Sequence, residues 1–451
     1  MKKYSFLRGL HPIDGLEFTD IHTSKAEERA LEVFLPKEIL LPMLQHRGVP
    51  AQVAVDIGDY VRIGQVVGKP ADAFGTAVHS GISGFVRDIR EIRLPDGRLS
   101  LAVLIESDGK RSFHPTIKKN DDTHSITPKD LLSLLYYSGI VGMGGDGEPT
   151  FIKCQRAIFA QADTLYINGM QSEPLMTCDC YQMREYSDKV IRGAVALASI
   201  LRIQKIRFCI SDKWIREITA MYSAVESSQE IFPDRDMEIS LFRSRYPQGY
   251  ERLLGQAVYG GKYETQENFE NLYKAVVFNV STCCAFADMI EKNQPCVSRI
   301  ITLAVNETDR KNMLVPIGTP VSEILASVPE KKNGRVVLGG AMTGVSVEDT
   351  YVPVLKTTCG IMIAPEPDRK SEECIRCDAC TGACPVGLIP YICHRAISSG
   401  SEKILQKIPI ERCISCGACS YVCPSGIGSA RTIAKYAHEK RMKQEEEEKR
   451  P

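Results

Sequence analysis

The sequence predicts an α/β chain of several domains. A β-rich N-terminal module comes first, then a stretch where strands alternate with helices, then a small C-terminal module organised by cysteine. Three observations predict this. The 451 residues suffice for about three domains. Short strands with glycine turns fill the first 115 residues, and strand–helix–strand order follows. Nine of the 17 cysteines crowd between positions 374 and 423, eight of them in two identically spaced runs.

Composition sets limits on function. The chain is 43% hydrophobic and 25% charged, as ordinary folded proteins are. Lys plus Arg number 56 and Asp plus Glu number 56. Nucleic-acid binders carry a basic excess, so no nucleic-acid partner is expected. No run approaches the apolar length of a membrane helix, so no direct membrane span is expected. The start, Met1-Lys2-Lys3-Tyr4, lacks the apolar run of a signal peptide. A cytoplasmic location, where thiols stay reduced, is the expectation.

Residues 1–115 alternate in the manner of strands. Val53, Val55 and Ile57 share a face, Gly58-Asp59 turns the chain, and Val61, Ile63, Val66 and Val67 follow. Val78–Val86 and Leu101–Ile105 form a second set. The phrases VDIGDYVRIGQVVG and VHSGISGFV resemble the two halves of a biotinyl/lipoyl-like barrel sandwich. The hairpin Ala71–Thr76 between the halves has no lysine, which points to a structural module and not a swinging carrier. His79 reads as a packed histidine before it reads as a ligand.

A polar linker, 116–125, leads to an α/β domain over 126–297. Thr127 and Pro128 are an N-cap and a first-turn proline. The run Gly142-Met-Gly144-Gly145-Asp-Gly147-Glu-Pro149-Thr150, followed by Lys153, can turn backbone N–H groups toward an anion. On spacing alone a flexible turn is an equal reading, and neither the Walker A nor the Rossmann spacing fits. Residues 162–168, 205–210 and 274–280 read as strands, 168–181 as a loop, and 184–201 as a helix by period. Residues 298–365 suggest a β-grasp element followed by a second glycine-rich stretch, Gly339–Gly344.

The C-terminal module, 366–435, carries Cys374-x2-Cys377-x2-Cys380-x3-Cys384-Pro385 and Cys413-x2-Cys416-x2-Cys419-x3-Cys423-Pro424. Each run is the two-cluster ferredoxin pattern. Three thiolates spaced by two residues wrap three corners of a [4Fe-4S] cube, and the fourth cysteine reaches the other cube. One cluster is thus expected on Cys374, Cys377, Cys380 and Cys423, the other on Cys413, Cys416, Cys419 and Cys384. A zinc ribbon would use C-x2-C pairs without the repeated Cys-Pro ending. A purely structural pair of clusters is a further alternative, though one cube would suffice as a staple. The tail, 436–451, is a charge run read as a solvated helix end or an unstructured end.

These pieces, in this order, resemble the RnfC family, which contains the C subunit of ion-translocating ferredoxin:NAD oxidoreductase complexes and is related to the flavin-bearing subunit of respiratory complex I. The resemblance starts at Phe6, Gly9, His11 and Pro12 and runs nearly the whole chain. The family loop G-x-G-G-A-x-F-P-T-x-x-K is matched by Gly142, Gly144, Gly145, Pro149, Thr150 and Lys153, with Asp146 for the alanine and Glu148 for the aromatic. The segment N-A-x-E-x-E-P is matched by Asn168, Glu173 and Pro174, with Gln171 for the first glutamate. Tyr246-Pro247-Gln248-Gly249 with Glu251, and Asn279 with Thr282, complete it.

The resemblance implies an iron–sulfur flavoprotein with FMN and two [4Fe-4S] clusters. FMN would lie on Gly142, Gly144, Gly145 and Lys153, with Asn168, Glu173, Glu251 and Asn279 around the flavin and nicotinamide. NAD(H) would be the substrate, and electrons would pass to a partner protein. That partner would be the membrane subunits of the complex, holding the chain on the inner face of the membrane, or a soluble reductase. Glu148, which cannot stack on a nicotinamide, favours a soluble carrier without its own NADH oxidation. The cysteines Cys178, Cys180, Cys283 and Cys284 read as buried thiols before a redox pair. A non-catalytic, cluster-stabilised scaffold is the remaining alternative.

Overall fold

The computed structural model describes residues 2–4, 30–121, 126–170, 173–260, 268–306, 309–328, 334–366 and 371–448. Phe6, Gly9, His11, Pro12 and Gln171 lie outside the described residues.

The N-terminal module is a barrel sandwich. One antiparallel sheet runs in the order Glu38–Pro42, Leu99–Ser107, Gly84–Arg93, Tyr60–Val61, and a second runs Gln52–Val53, Val66–Lys69, Val78–His79. Period-two alternation explains the strands: Leu99 and Leu101 face solvent while Ser100 and Ala102 are buried. Val61, Val67, Val78, Val86, Val103 and Ile105 share one core. His79 is buried at its edge, as a packed residue is.

The central domain holds five parallel strands in the order Lys2–Tyr4, Asp236–Phe242, Lys205–Ser211, Thr164–Asn168, Ala275–Asn279. Parallel neighbours need crossover connections, and helices such as Ser187–Leu201, Ile215–Ile231 and Glu251–Tyr259 supply them. The chain steps from Thr164–Asn168 to one side, then returns to add Ala275–Asn279 on the other. That reversal opens a crevice beyond the carboxyl ends of the two strands, where open α/β sheets bind ligands. Asn168 and Asn279 face each other in register at those ends.

Several elements differ from the sequence expectation. The stretch read as loop up to residue 181 contains the helix Cys178–Glu185, and a break at Tyr186 separates it from Ser187–Leu201. Its Asp179 and Gln182 look like loop residues but are buried and satisfied. Ser281 Oγ donates to Asp179 at 2.8 Å, and Gln182 Nε2 donates to Ser281 Oγ at 2.6 Å. The first 115 residues also leave the sandwich twice. Lys2–Tyr4 edges the central sheet, and Glu32–Val33 edges the third sheet beside Arg310–Pro316. Strands of two or three residues carry no readable period.

That third sheet is mixed and six-stranded, in the order Val345–Val347, Arg335–Leu338, Gly360–Ala364, Ser298–Ala304, Arg310–Pro316, Glu32–Val33. The C-terminal module is helical and internally repeated. Helix Ala379–Gly382 and the longer Pro390–Ser398 in the first half correspond to Ala418–Tyr421 and Ser429–Glu448 in the second. The last helix runs into the charged tail. Ile433 and Ala437 are buried, Lys440 pairs with Glu411 at 2.9 Å, and Arg441 donates to the carbonyls of Glu411 and Cys413. Part of the expected solvated end is therefore docked on the module.

Candidate functional site

The crevice is built first by the glycine loop. Gly142 N–H donates to Glu148 O at 2.8 Å and Gly147 N–H to Gly142 O at 3.1 Å, which closes the loop before helix Thr150–Phe159. Gly145 has φ +113° and open space where a side chain would project. Gly144 lies against the Asn279 side chain. Thr150, in the first helical turn, is buried with its hydroxyl unpartnered. Helix N-termini and positive-φ loops present N–H groups to anions.

Charged groups converge next to the loop. Lys153 Nζ sits 2.8 Å from Glu251 Oε2, buried, with Asp146 and Glu148 nearby. Burial opposes a charge on this lysine, but Glu251, Asp146 and Glu148 outweigh it and hold Lys153 protonated. Glu148 is clamped by Arg156, which also forks onto Glu270 at 2.9 and 2.8 Å. Burial would favour neutral Glu148, but Arg156 and Lys153 draw its carboxyl below the usual range. The substitution for the family aromatic is thus neutralised within the protein. Arg156 and Glu270 carried no sequence motif. The hint was a basic residue two turns after Glu148.

Asn168 donates to Gly249 O at 2.8 Å and accepts from Met170 N–H. Asn279 caps helix Val280–Lys292 by accepting from Ser281 N–H, and donates to Asp179 at 2.8 Å. The structure therefore gathers Gly142, Gly144, Gly145, Lys153, Asn168, Glu251 and Asn279 at the sheet reversal. Glu173 is turned elsewhere. Its carboxylate accepts from Met342 N–H at 3.0 Å, from Thr343 N–H at 3.1 Å and from the Thr343 hydroxyl. The Asp146 carboxylate folds against Gly142, and the open space at Gly145, an unpartnered buried hydroxyl and the Lys153 ammonium that offsets the nearby acids are suited to a flavin phosphate, so the crevice fits FMN.

The cysteines form two sets. One cavity, of about 650 Å³, is lined by Cys374, Cys377, Cys380 and Cys423. A second, narrow one is lined by Cys384, Cys413 and Cys416. Cys419 borders both. Each quartet takes its fourth cysteine from the other run, as crossed ligation requires. The backbone repeats as well: φ is positive at Arg376, Asp378 and Gly387, and again at Ser415, Gly417 and Gly426. Leu388 N–H donates to Cys384 Sγ at 3.3 Å, and Ile427 N–H to Cys423 Sγ at 3.5 Å, at equivalent places. Such bonds favour sulfur that carries negative charge. Among the described residues no three His, Cys, Asp or Glu side chains converge on a single ion position. The residues fit two cubes.

Comparisons with known proteins agree with this architecture. The RnfC barrel sandwich hybrid domain matches residues 4–110, the Nuo51 FMN-binding domain matches 135–288, and the 4Fe-4S dicluster domain matches 368–427. The C subunit of the proton-translocating ferredoxin:NAD(+) oxidoreductase complex of Clostridium ljungdahlii is 31% identical over 396 residues, covering 86% of this chain and 83% of that one. The C subunit of the ion-translocating oxidoreductase complex of Pasteurella multocida is 30% identical over 400 residues, covering 86% of this chain but 46% of that one. The chain thus spans about half the length of that relative. An NAD+-reducing [NiFe]-hydrogenase in the H2-reduced state shares the fold over 71% of this chain and 61% of that one, at 17% identity and a TM-score of 0.50. With a barrel sandwich, a flavin-type α/β domain and a dicluster module in the same order, and a relative this similar over most of both lengths, the chain belongs to the RnfC family of oxidoreductase-complex C subunits.

Proposed function

We propose that this chain is an electron-transfer subunit, linking a nicotinamide or other reduced donor to a partner protein through FMN and two [4Fe-4S] clusters. FMN supplies the exchange between two-electron hydride chemistry and the single electrons that clusters carry. The observation that carries the reading is the physical join of the two sites: Tyr246, from the flavin-type domain, donates its hydroxyl to the carbonyl of Cys416 at 2.5 Å.

Each residue has a part. The Gly144 and Gly145 N–H groups and the Thr150 hydroxyl would hold the flavin phosphate, and Lys153, fixed by Glu251, would supply positive charge beside it. Asn168 and Asn279 shape the crevice floor. Cys374, Cys377, Cys380 and Cys423 ligate one cluster, and Cys384, Cys413, Cys416 and Cys419 the other. Cys374 and Cys377 are exposed while the second quartet is partly covered, which supports electron exit to the partner from the cluster of Cys374, Cys377, Cys380 and Cys423. No helix among the described residues is long and apolar enough to cross a membrane, so attachment at the inner face would come through partner subunits.

Glu148 favours a second reading, a soluble carrier serving another reductase. Its carboxylate, locked to Arg156, replaces the ring that would stack on nicotinamide. Anaerobic purification decides between them. Bound FMN, about eight irons per chain and NADH-dependent dye reduction support the first. The same cofactors without NADH oxidation select the second. Protein lacking stoichiometric iron and flavin would sink both.

A further inference from the structure

We infer that Glu173 and Tyr246 are positioning residues that clamp the flavin-type domain onto the second cluster loop and set the potential of the cluster held there. The inference rests on the electron-transfer reading above and names the contact through which its two halves communicate.

Four segments far apart in sequence, Tyr246 among them, meet at this point. Glu173 follows the strand end at Asn168. The glycine-rich stretch Gly339–Gly344 belongs to the third sheet, and Cys416–Ala418 belongs to the C-terminal module. The Glu173 carboxylate gathers Met342 N–H, Thr343 N–H and the Thr343 hydroxyl. The Tyr246 hydroxyl also sits against this carboxylate, and its single proton is shared between Glu173 and Cys416 O, the latter at 2.5 Å. The Met342 side chain packs with Tyr246, Cys416 and Ala418.

Two glycines make the approach possible. A Cβ at Gly340 would overlap the Glu173 carboxylate, and one at Gly417 would overlap the Met342 carbonyl. Gly417 follows the ligand Cys416 directly. The loop is therefore wedged between an acid on one side and a cysteine loop on the other.

The consequence for the second cluster is electrostatic. A hydroxyl dipole aimed at the carbonyl of a ligand residue places its positive end toward the cluster. Reduction adds negative charge, so this dipole favours the reduced form. Removing it disfavours reduction. Cys377, which holds the corresponding place in the other run, is exposed. The effect should be confined to one cluster.

The test uses the full chain, purified anaerobically, with each cluster followed by its own electron paramagnetic resonance signal during a redox titration. Tyr246→Phe keeps the ring and removes only the hydroxyl. The expected result is unchanged iron and flavin content, an unchanged potential for the exposed cluster, and about a tenfold drop in the reduced fraction ratio of the second cluster at fixed potential, equal to 59 mV for one electron. Glu173→Gln loses one acceptor toward Met342 N–H and should slow electron passage from flavin to cluster with little change in cofactor content. Glu173→Ala should slow it further. Equal shifts in both clusters, or no shift in Tyr246→Phe that retains its irons, would overturn the inference. Wild-type protein without flavin or iron would instead overturn the reading beneath it, so the two failures are distinguishable.

Discussion

Arg156 carries more than its share of the crevice. It is the common partner of Glu148 and Glu270, and the Glu270 side chain is only 1% exposed. Two carboxylates and one guanidinium make a network that is stable only when complete, because an unpaired buried charge costs more than the pair contributes. Arg156→Met should therefore destabilise the chain by about 3 kcal/mol. Adding Glu148→Gln to that variant should recover part of the loss. Urea unfolding followed by the fluorescence of Trp214, the single tryptophan, which is buried in the central domain core, measures both. If Arg156→Met unfolded at the wild-type urea concentration, the network would have no energetic role. The same logic explains why Glu148 could replace an aromatic residue. Its charge was compensated by a residue two helical turns away, a relation visible only once the helix is formed.

At the scale of elements, the cysteine runs make the sharpest prediction. Cys423 is the last ligand of the second run, yet it lines the cavity of Cys374, Cys377 and Cys380. Cys384 closes the first run, yet it lines the cavity of Cys413 and Cys416. Cys423→Ser should therefore remove or alter the cluster whose other ligands lie about 40 residues earlier. Cys384→Ser should spare that cluster and damage its neighbour. Iron counts and the two resonance signals report which is lost, and uncrossed losses would refute the pairing. This part of the site was legible because ligand spacing is local and loop geometry is fixed by it. The glycine loop was legible for the same reason. The helix Cys178–Glu185 was not, since the partners that satisfy Asp179 and Gln182 come from Asn279 and Ser281, about 100 positions on. Nor was the Tyr246–Cys416 bond, which spans 170 residues. Two polar residues far apart give no periodic signal, so only the folded chain reveals that they meet.

The whole molecule is held together at a buried polar junction of sandwich, central domain and third sheet. Lys356 is fully buried, and its ammonium donates to Ala77 O at 2.7 Å and to Gly139 O at 2.6 Å, with no carboxylate partner among the described residues. Gly139 begins the approach to the glycine loop, so this lysine ties the sandwich to the crevice. Burial pulls Lys356 down to about 8, leaving it largely charged at neutral pH. His79 and His46 stand nearby. Burial first, and the Lys356 charge second, push His79 down to about 3 and His46 to about 4. Both histidines are therefore neutral in the native state. Below pH 6.5 the unfolded chain binds protons that the folded chain refuses, so stability is lost as pH falls from 6.5 toward 4, by about 1.4 kcal/mol per pH unit for each histidine. For Lys356 the window lies higher: between pH 8 and 10.5 the unfolded chain keeps a proton that the native state has shed, and stability rises with pH there. Unfolding midpoints of the central domain, read from Trp214 at pH 7, 6 and 5, should fall steeply in the wild type. In His79→Gln they should fall less steeply, because one of the two refusing groups is gone. An identical slope in both proteins would mean that His79 does not govern the acid limit of the junction, and that the sandwich is docked by something other than this cluster of uncompensated donors.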